Sequence, residues 1–223
     1  MPLAGKGMLL TSMDVDAADE AEFNRWYDRE HLEERVAIEG FVEARRYVAQ
    51  TGGPKYLCLY STKTVEVLDS PAYRARLANP TPGSTRNMAR FKNMIRAVAR
   101  ITSSRGQGRG AVLGIVRLRP HAGSEAALRA ALDKALDPAG VDGVISMHLI
   151  ESDPALSGPT PEIPSAAGAG DWFVLIDGTN GNAVSAIMAA RFTSTAASAQ
   201  ATLVSSGIYD LMWDLAKSDI ALT

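Results

Sequence analysis

The stretch EFNRWYDREHLEER, residues 22–35, sets a phenol, an imidazole and several carboxylates within one candidate helix. At about 100° per residue, Phe23, Trp26, Tyr27, Glu30, Glu34, Ala37 and Ile38 share an arc of roughly 120°, with His31 at its edge. Asp28, Leu32 and Val36 fall elsewhere on this projection. An apolar face that carries carboxylates and an imidazole is expensive to bury unless those groups are paired. Two readings are open. In the architectural one, Glu30 and Glu34 meet arginines and seal the helix to its sheet, with Arg25, Arg35, Arg45 and Arg46 close in sequence. In the chemical one, a cleft histidine with a pKa of about 6.5 serves as base or acid at neutral pH. His31 then moves a proton at a carbon next to a carbonyl, Tyr27 hydrogen-bonds the substrate oxygen, and Glu34 or Glu30 orients the imidazole. Tyr27 precedes His31 by four residues and Arg35 follows it by four, so the three can touch along one ridge.

Other sources of chemistry are thin. His121 follows a strand at a turn and is expected in solvent, and strand alternation leaves open which way His148 faces in SMHLIE. Three histidines with no close-spaced ligand pair argue against a metal, and no cofactor is expected. The single cysteine, Cys58, excludes an intrachain disulfide and reads as a small buried hydrophobe. GQGRG lacks both the spacing and the following lysine of a phosphate loop.

Composition narrows the class. A net charge of −2 over 223 residues leaves no electrostatic footprint for nucleic acid. The basic stretch RNMARFKNMIRAVAR, residues 86–100, interleaves Met88, Phe91, Ile95 and Val98, as an amphipathic segment does. No apolar run approaches the roughly 18 residues that span a bilayer. The first twenty residues turn acidic without a long apolar core, so no secretory signal and a cytoplasmic location are expected.

The elements that must position the helix occur in an order that repeats. GMLLTSMDV (7–15) is a strand, the helix follows from Glu22 to about Ile38, and Gly40 stops it. FVEARRYVAQ (41–50) and KYLCLYSTK (55–63) flank the hairpin signal TGGP. A second helix begins near Val65 or Ser70-Pro71, and an amphipathic piece ends in MIRAVARIT (94–102). After the small, polar linker SSRGQGRG (103–110) the plan restarts, with strands at 111–120, 143–152, 171–179 and 207–217. Helices are expected at 124–136, N-capped by Ser124, and at 182–192. Gly40-Phe41-Val42 aligns with Gly143-Val144-Ile145, and Lys55-Tyr56-Leu57 with Asp171-Trp172-Phe173. The second hairpin therefore carries thirteen extra residues within 152–170, a Pro/Gly/Ala/Ser-rich stretch expected to be irregular and exposed. The fold class is α+β: two ferredoxin-like β-α-β-β-α-β units, 1–105 and 106–223, whose sheets pack together as an intrachain barrel.

EFNRWYDREHLEERVAIEGFVEARRY resembles the opening segment of the dimeric α/β-barrel superfamily, near its EthD-like group, on Trp26-Tyr27, His31, Gly40-Phe41 and the following Arg45-Arg46-Tyr47. The second half departs from it, since SEAALRAALDKAL has no Trp, Tyr or His. The resemblance implies one site per chain, with the second unit as scaffold. The expected catalytic residues are His31, Tyr27 and Glu34, and the expected substrate contacts are Phe23, Trp26, Glu30 and Arg45. That superfamily hosts many reactions, so the resemblance implies architecture before activity. The function expected is a cofactor-independent lyase, isomerase or oxygenase acting on a small apolar carbonyl or phenolic compound, in a chain that could form a homodimer. The alternative is a non-catalytic barrel that binds a hydrophobic metabolite or a partner protein.

Overall fold

A computed structural model describes residues 3–160, 166–193 and 199–220. The first half runs β1 (Gly7–Asp14), α1 (Glu20–Trp26), a π-helical turn (Tyr27–His31), α2 (Leu32–Val36), β2 (Phe41–Thr51) and β3 (Tyr56–Thr62). A 3-10 turn (Val65–Asp69), α3 (Pro71–Ala78), α4 (Pro82–Met88) and β4 (Lys92–Gly106) complete it. The second half is β5 (Val112–Pro120), α5 (Glu125–Ala135), β6 (Val144–Ser152), β7 (Trp172–Gly178), α6 (Gly181–Arg191) and β8 (Ala201–Ala216). The eight strands close into one antiparallel barrel in the order β1-β3-β2-β8-β5-β7-β6-β4. The fold is α+β, with two ferredoxin-like units joined into a barrel. The two sheets do more than face each other: β2 pairs with β8 and β4 with β6, so both seams are hydrogen-bonded.

Closure explains the sequence pattern. β3 and β7 are buried along their whole length, because one face meets the barrel interior and the other meets helices. Such strands read as continuous apolar runs instead of alternating ones. Leu9, Met13 and Cys58 pack under the first-half helices, whereas Met8, Leu10 and Tyr47 fill the barrel. The two aligned triplets both mark strand starts, at Phe41 and Val144 and at Tyr56 and Trp172.

Several expectations change. Residues 103–106 belong to β4, because they pair with β6 across the seam, and only 107–111 connect the halves. The last strand begins at Ala201, six residues earlier than its apolar portion, since it must pair with β5 before it reaches β2. NPTPGS hides α4, whose Thr81 cap accepts from the Ser84 amide with Pro82 in the first turn. Ser70 caps α3 in the same way, while Ser124 makes no side-chain cap to α5. His148 faces the barrel interior, where it is fully buried between Ser104 and Ser146.

The long second-half loop is irregular, but its described flanks are not free in solvent; residues 161–165 lie outside the described residues. Ser157 is fully buried, and its hydroxyl both accepts from the Val98 amide (2.9 Å) and donates to the Val98 carbonyl (3.1 Å). The Leu156 carbonyl accepts from Arg96, and the Arg96 amide donates to Ala167. The loop is thus strapped along β4 of the other half, where the strand has no neighbour on that side before the β6 pairing begins at Ala99. Replacing Ser157 with Ala leaves the buried Val98 amide without its acceptor, which should cost about 1–3 kcal/mol in chemical denaturation. An unchanged midpoint would show that the strap contributes nothing to stability.

Candidate functional site

The helix that carries the candidate residues is not a continuous α-helix. The Leu32 amide donates to the Tyr27 carbonyl, five residues back, so Tyr27–His31 forms a π-helical turn. One extra residue in a turn rotates all that follows by about 100°. The buried positions are therefore Phe23 and Trp26 before the turn, Tyr27 and His31 at its two ends, and Leu32, Arg35 and Val36 after it. This corrects the uniform projection, which placed Glu30 and Glu34 inward and Leu32 and Val36 outward. Burying Leu32 and Val36 contributes about 1.5–3 kcal/mol each, and it leaves the two carboxylates at the rim.

Between this helix and the outer face of the first sheet lies a cavity lined by Leu9, Thr11 and Met13 of β1, by Tyr27, His31 and Arg35, by Tyr60 of β3 and by Arg96 of β4. Tyr73, Leu77 and Pro80 close one end. The hollow is narrow and largely enclosed. Met88, Phe91 and Met94 separate it from a wider, open cleft at the barrel end, bordered by Pro54, Arg117 and Val204. Two methionines and one phenylalanine make a deformable partition.

Inside the cavity the hydroxyls form a chain. Tyr60 donates to Tyr27 at 3.1 Å, and Tyr27 meets the Thr11 hydroxyl at 3.4 Å. Burial pushes both phenols above their ordinary range and the neighbouring Cys58 thiol up to about 12, so all three keep their protons at neutral pH. His31 lies against Trp26, ring centres 4.4 Å apart, and its Nδ1 has no hydrogen-bond partner among the described residues. Burial, then the positive charges of Arg35, Arg46 and Arg76, hold its pKa well below 6.5. His31 is a neutral imidazole at neutral pH, not a group half-titrated there as its type alone implies.

The remaining candidates divide. Glu34 is 3.9 Å from His31 Nδ1, too far for a hydrogen bond, and meets Arg76 at 3.5 Å and the Ser84 hydroxyl at 3.4 Å. Glu30 accepts from Thr81 at the start of α4. The carboxylates are thus held by α3 and α4, not by the arginines near them in sequence. Phe23 and Trp26 pack behind Tyr27 and do not border the hollow. Arg45 points the other way, into the barrel, where it pairs with Asp177 at 3.0 Å. Alternation along β2 decides this: Arg46 faces the helix, its guanidinium 4.5 Å from the centre of the Tyr27 ring and hydrogen-bonded to Asp28 and Asn24. Sequence reading missed Thr11, Tyr60 and Arg96. Thr11 and Tyr60 sit inside apolar strands, and Arg96 reads as one more basic residue of an amphipathic segment. On the corresponding helix of the second half, α5, the inward side chains are Leu128 and Leu132.

No model of a known family and no curated protein matches the sequence. Solved structures do match in fold. An anthrone oxidase-like protein superposes with a TM-score of 0.69 at 11% identity, over 98% of this chain and 96% of that one. A provisional monooxygenase from Fusobacterium nucleatum subsp. nucleatum gives a TM-score of 0.60 at 6% identity, over 96% and 95% of the two chains. A haem-binding protein from Thermus thermophilus gives 0.55 at 10% identity, over 95% and 92%. At these identities the likeness is one of fold: the neighbours are ferredoxin-like α+β barrel proteins. Among the described residues no three His, Cys, Asp or Glu side chains converge to hold a metal ion. No described helix is long and apolar enough to cross a membrane.

The lowered pKa of His31 has a thermodynamic signature. The unfolded chain binds a proton there below about 6.5 while the folded one does not, so folding stability falls as the pH drops through that value. Relative to His31→Gln, the wild type should lose up to about 1.4 kcal/mol per pH unit below it and show no difference above it. Parallel stability profiles from pH 8 down to pH 5, values chosen to bracket about 6.5, would contradict a neutral buried imidazole.

Proposed function

We infer that the chain is an EthD-like barrel of two joined units, working in the cytoplasm as a cofactor-independent enzyme that takes a proton from a small, largely apolar phenolic or carbonyl compound. The observation that carries this reading is a buried, neutral imidazole lining an apolar cavity beside two linked phenols. His31 is in its basic form at neutral pH, so it is ready to accept a proton. Tyr27 and Tyr60 keep their protons, and a phenol hydroxyl that turns from its neighbour toward a substrate oxygen can stabilise the charge that develops there. Trp26 and Arg46 hold the imidazole and the Tyr27 ring in place from behind.

Proton removal serves isomerisation, elimination or oxygenation alike. The names of the fold neighbours, a monooxygenase and an anthrone oxidase-like protein, favour oxygenation. In that case the carbanion carbon bonds to dioxygen and the peroxide takes the proton that His31 accepted. Loss of water then leaves a carbonyl, so that one activated methylene group and one dioxygen molecule give one ketone carbonyl and one water.

Proton removal can be read without knowing the later step. A panel of anthrone and small diketones in heavy water, with and without dioxygen, should show exchange of the acidic C–H and, in air, oxygen uptake. His31→Gln should lower exchange by about 10²–10⁴-fold, the range for loss of a general base, and Tyr27→Phe should lower it less. Unaltered exchange in His31→Gln would remove the imidazole from the chemistry. Tight binding of a panel member with no exchange in any variant would favour a barrel that binds a hydrophobic metabolite without turning it over.

A further inference from the structure

Five arginines are buried among the described residues: Arg35, Arg45, Arg46, Arg96 and Arg117. Three of them have a carboxylate partner: Arg45 with Asp177, Arg46 with Asp28 and Arg117 with Asp171. The other two, Arg35 at 6% exposure and Arg96 at 4%, make no ion pair with a described residue, and both line the His31 cavity. Arg35 Nη1 is buried without any hydrogen-bond partner among the described residues. Arg96 Nη1 donates to a neutral acceptor, the Leu156 carbonyl at 2.8 Å.

A guanidinium cannot shed its proton, and a buried one is costly unless an anion faces it. No described residue lining this hollow supplies that anion. His31 is neutral, Tyr27 and Tyr60 keep their protons, and Glu34 lies outside the lining, held by Arg76 and Ser84. The remaining walls, such as Leu9, Thr11, Met13 and Leu77, carry no carboxylate.

We propose that the cavity binds its ligand as an oxyanion on a compact apolar body, with the charged oxygen against Arg35 and Arg96. The inference rests on the same site as the proposed function and names what that site selects: a carboxylate, or a phenol or enol in its ionised form. A planar guanidinium matches a carboxylate with two parallel hydrogen bonds and a phenolate with one, so both belong to one chemistry. The ligand supplies the missing counter-charge, and the position of Arg96 depends on the second-half loop that bonds it through Leu156.

Benzoate and 4-nitrophenol are suitable probes, with benzamide and nitrobenzene as neutral counterparts of similar shape. Calorimetric titration of the full chain should show benzoate binding more tightly than benzamide by about tenfold or more, as expected for a hydrogen-bonded charge pair. Bound 4-nitrophenol should ionise at lower pH than free 4-nitrophenol, seen as phenolate absorbance. Arg35→Gln and Arg96→Gln should each erase most of the benzoate preference, Arg35→Lys should restore part of it, and Arg74→Gln, on the exposed side of α3, should leave it intact. His31→Gln should keep the preference even where proton exchange is lost, which separates failure of the base from failure of the anion site. Equal binding of benzoate and benzamide to the wild type overturns the proposal, as does the absence of millimolar binding of either anion. If Arg35→Gln does not fold, the wild-type comparison and the 4-nitrophenol ionisation decide alone.

Discussion

The hydrogen bond from the Leu32 amide to the Tyr27 carbonyl sets the phase of the helix on which the site depends. Without the extra residue of that π-helical turn, the inward positions after Tyr27 would be Glu30 and Glu34. With it they are His31 and Arg35, flanked by Leu32 and Val36. An acidic wall becomes a neutral imidazole beside a guanidinium, and two aliphatic side chains enter the core. The displaced carboxylates reach Thr81 at the start of α4 and Arg76 on α3, so the short helices after β3 anchor them at the rim. The local backbone irregularity has here a clear consequence: it exchanges the chemistry that faces the cavity.

The barrel then fixes everything the helix leans on. β1 and β3 carry Thr11 and Tyr60 on the helix-facing side and barrel-filling residues on the other, which is possible because the second half closes the barrel behind them. The second half also acts on the site directly. Its long loop runs along β4, seals the Val98 backbone through Ser157 and holds Arg96 through Leu156. The half whose own helix bears only leucines inward is therefore more than a scaffold. It supplies the Leu156 carbonyl that holds Arg96, one of the two buried arginines of the cavity with no ion pair to a described residue.

Element order was legible because it rests on long-range patterning: buried strands, turn residues and two helices per half. The strand starts at Phe41, Tyr56, Val144 and Trp172 follow from glycines, a hairpin turn and apolar onsets that sequence displays plainly. The extent of β4 and β8 did not, because seam pairing recruits small polar residues that carry no strand signal of their own. The candidate site was half legible. Tyr27 and His31 stood out by type, and the ridge to Arg35 by spacing. The inward turn of Arg35 needed the π-helical geometry, which no residue of YDREH announces. Arg45 and Arg46 are adjacent and chemically identical, so only the register of β2 decides that Arg46 supports Tyr27 while Arg45 serves the barrel interior. Thr11, Tyr60 and Arg96 come from three strands, and no linear spacing joins them.

The backbone delivers a neutral imidazole into a largely apolar cavity that Arg35 and Arg96 also line. Nitrogen-15 NMR of the side chains reads this directly, because the chemical shifts of the two ring nitrogens report protonation and tautomer for each of the three histidines. Assigned by comparison with His31→Gln, the His31 nitrogens should keep the pattern of a neutral ring well below a pH of about 6.5, where a solvated histidine acquires its proton. A His31 signal that titrates at the ordinary value would mean a ring open to water, and the cavity chemistry described for this helix would not hold.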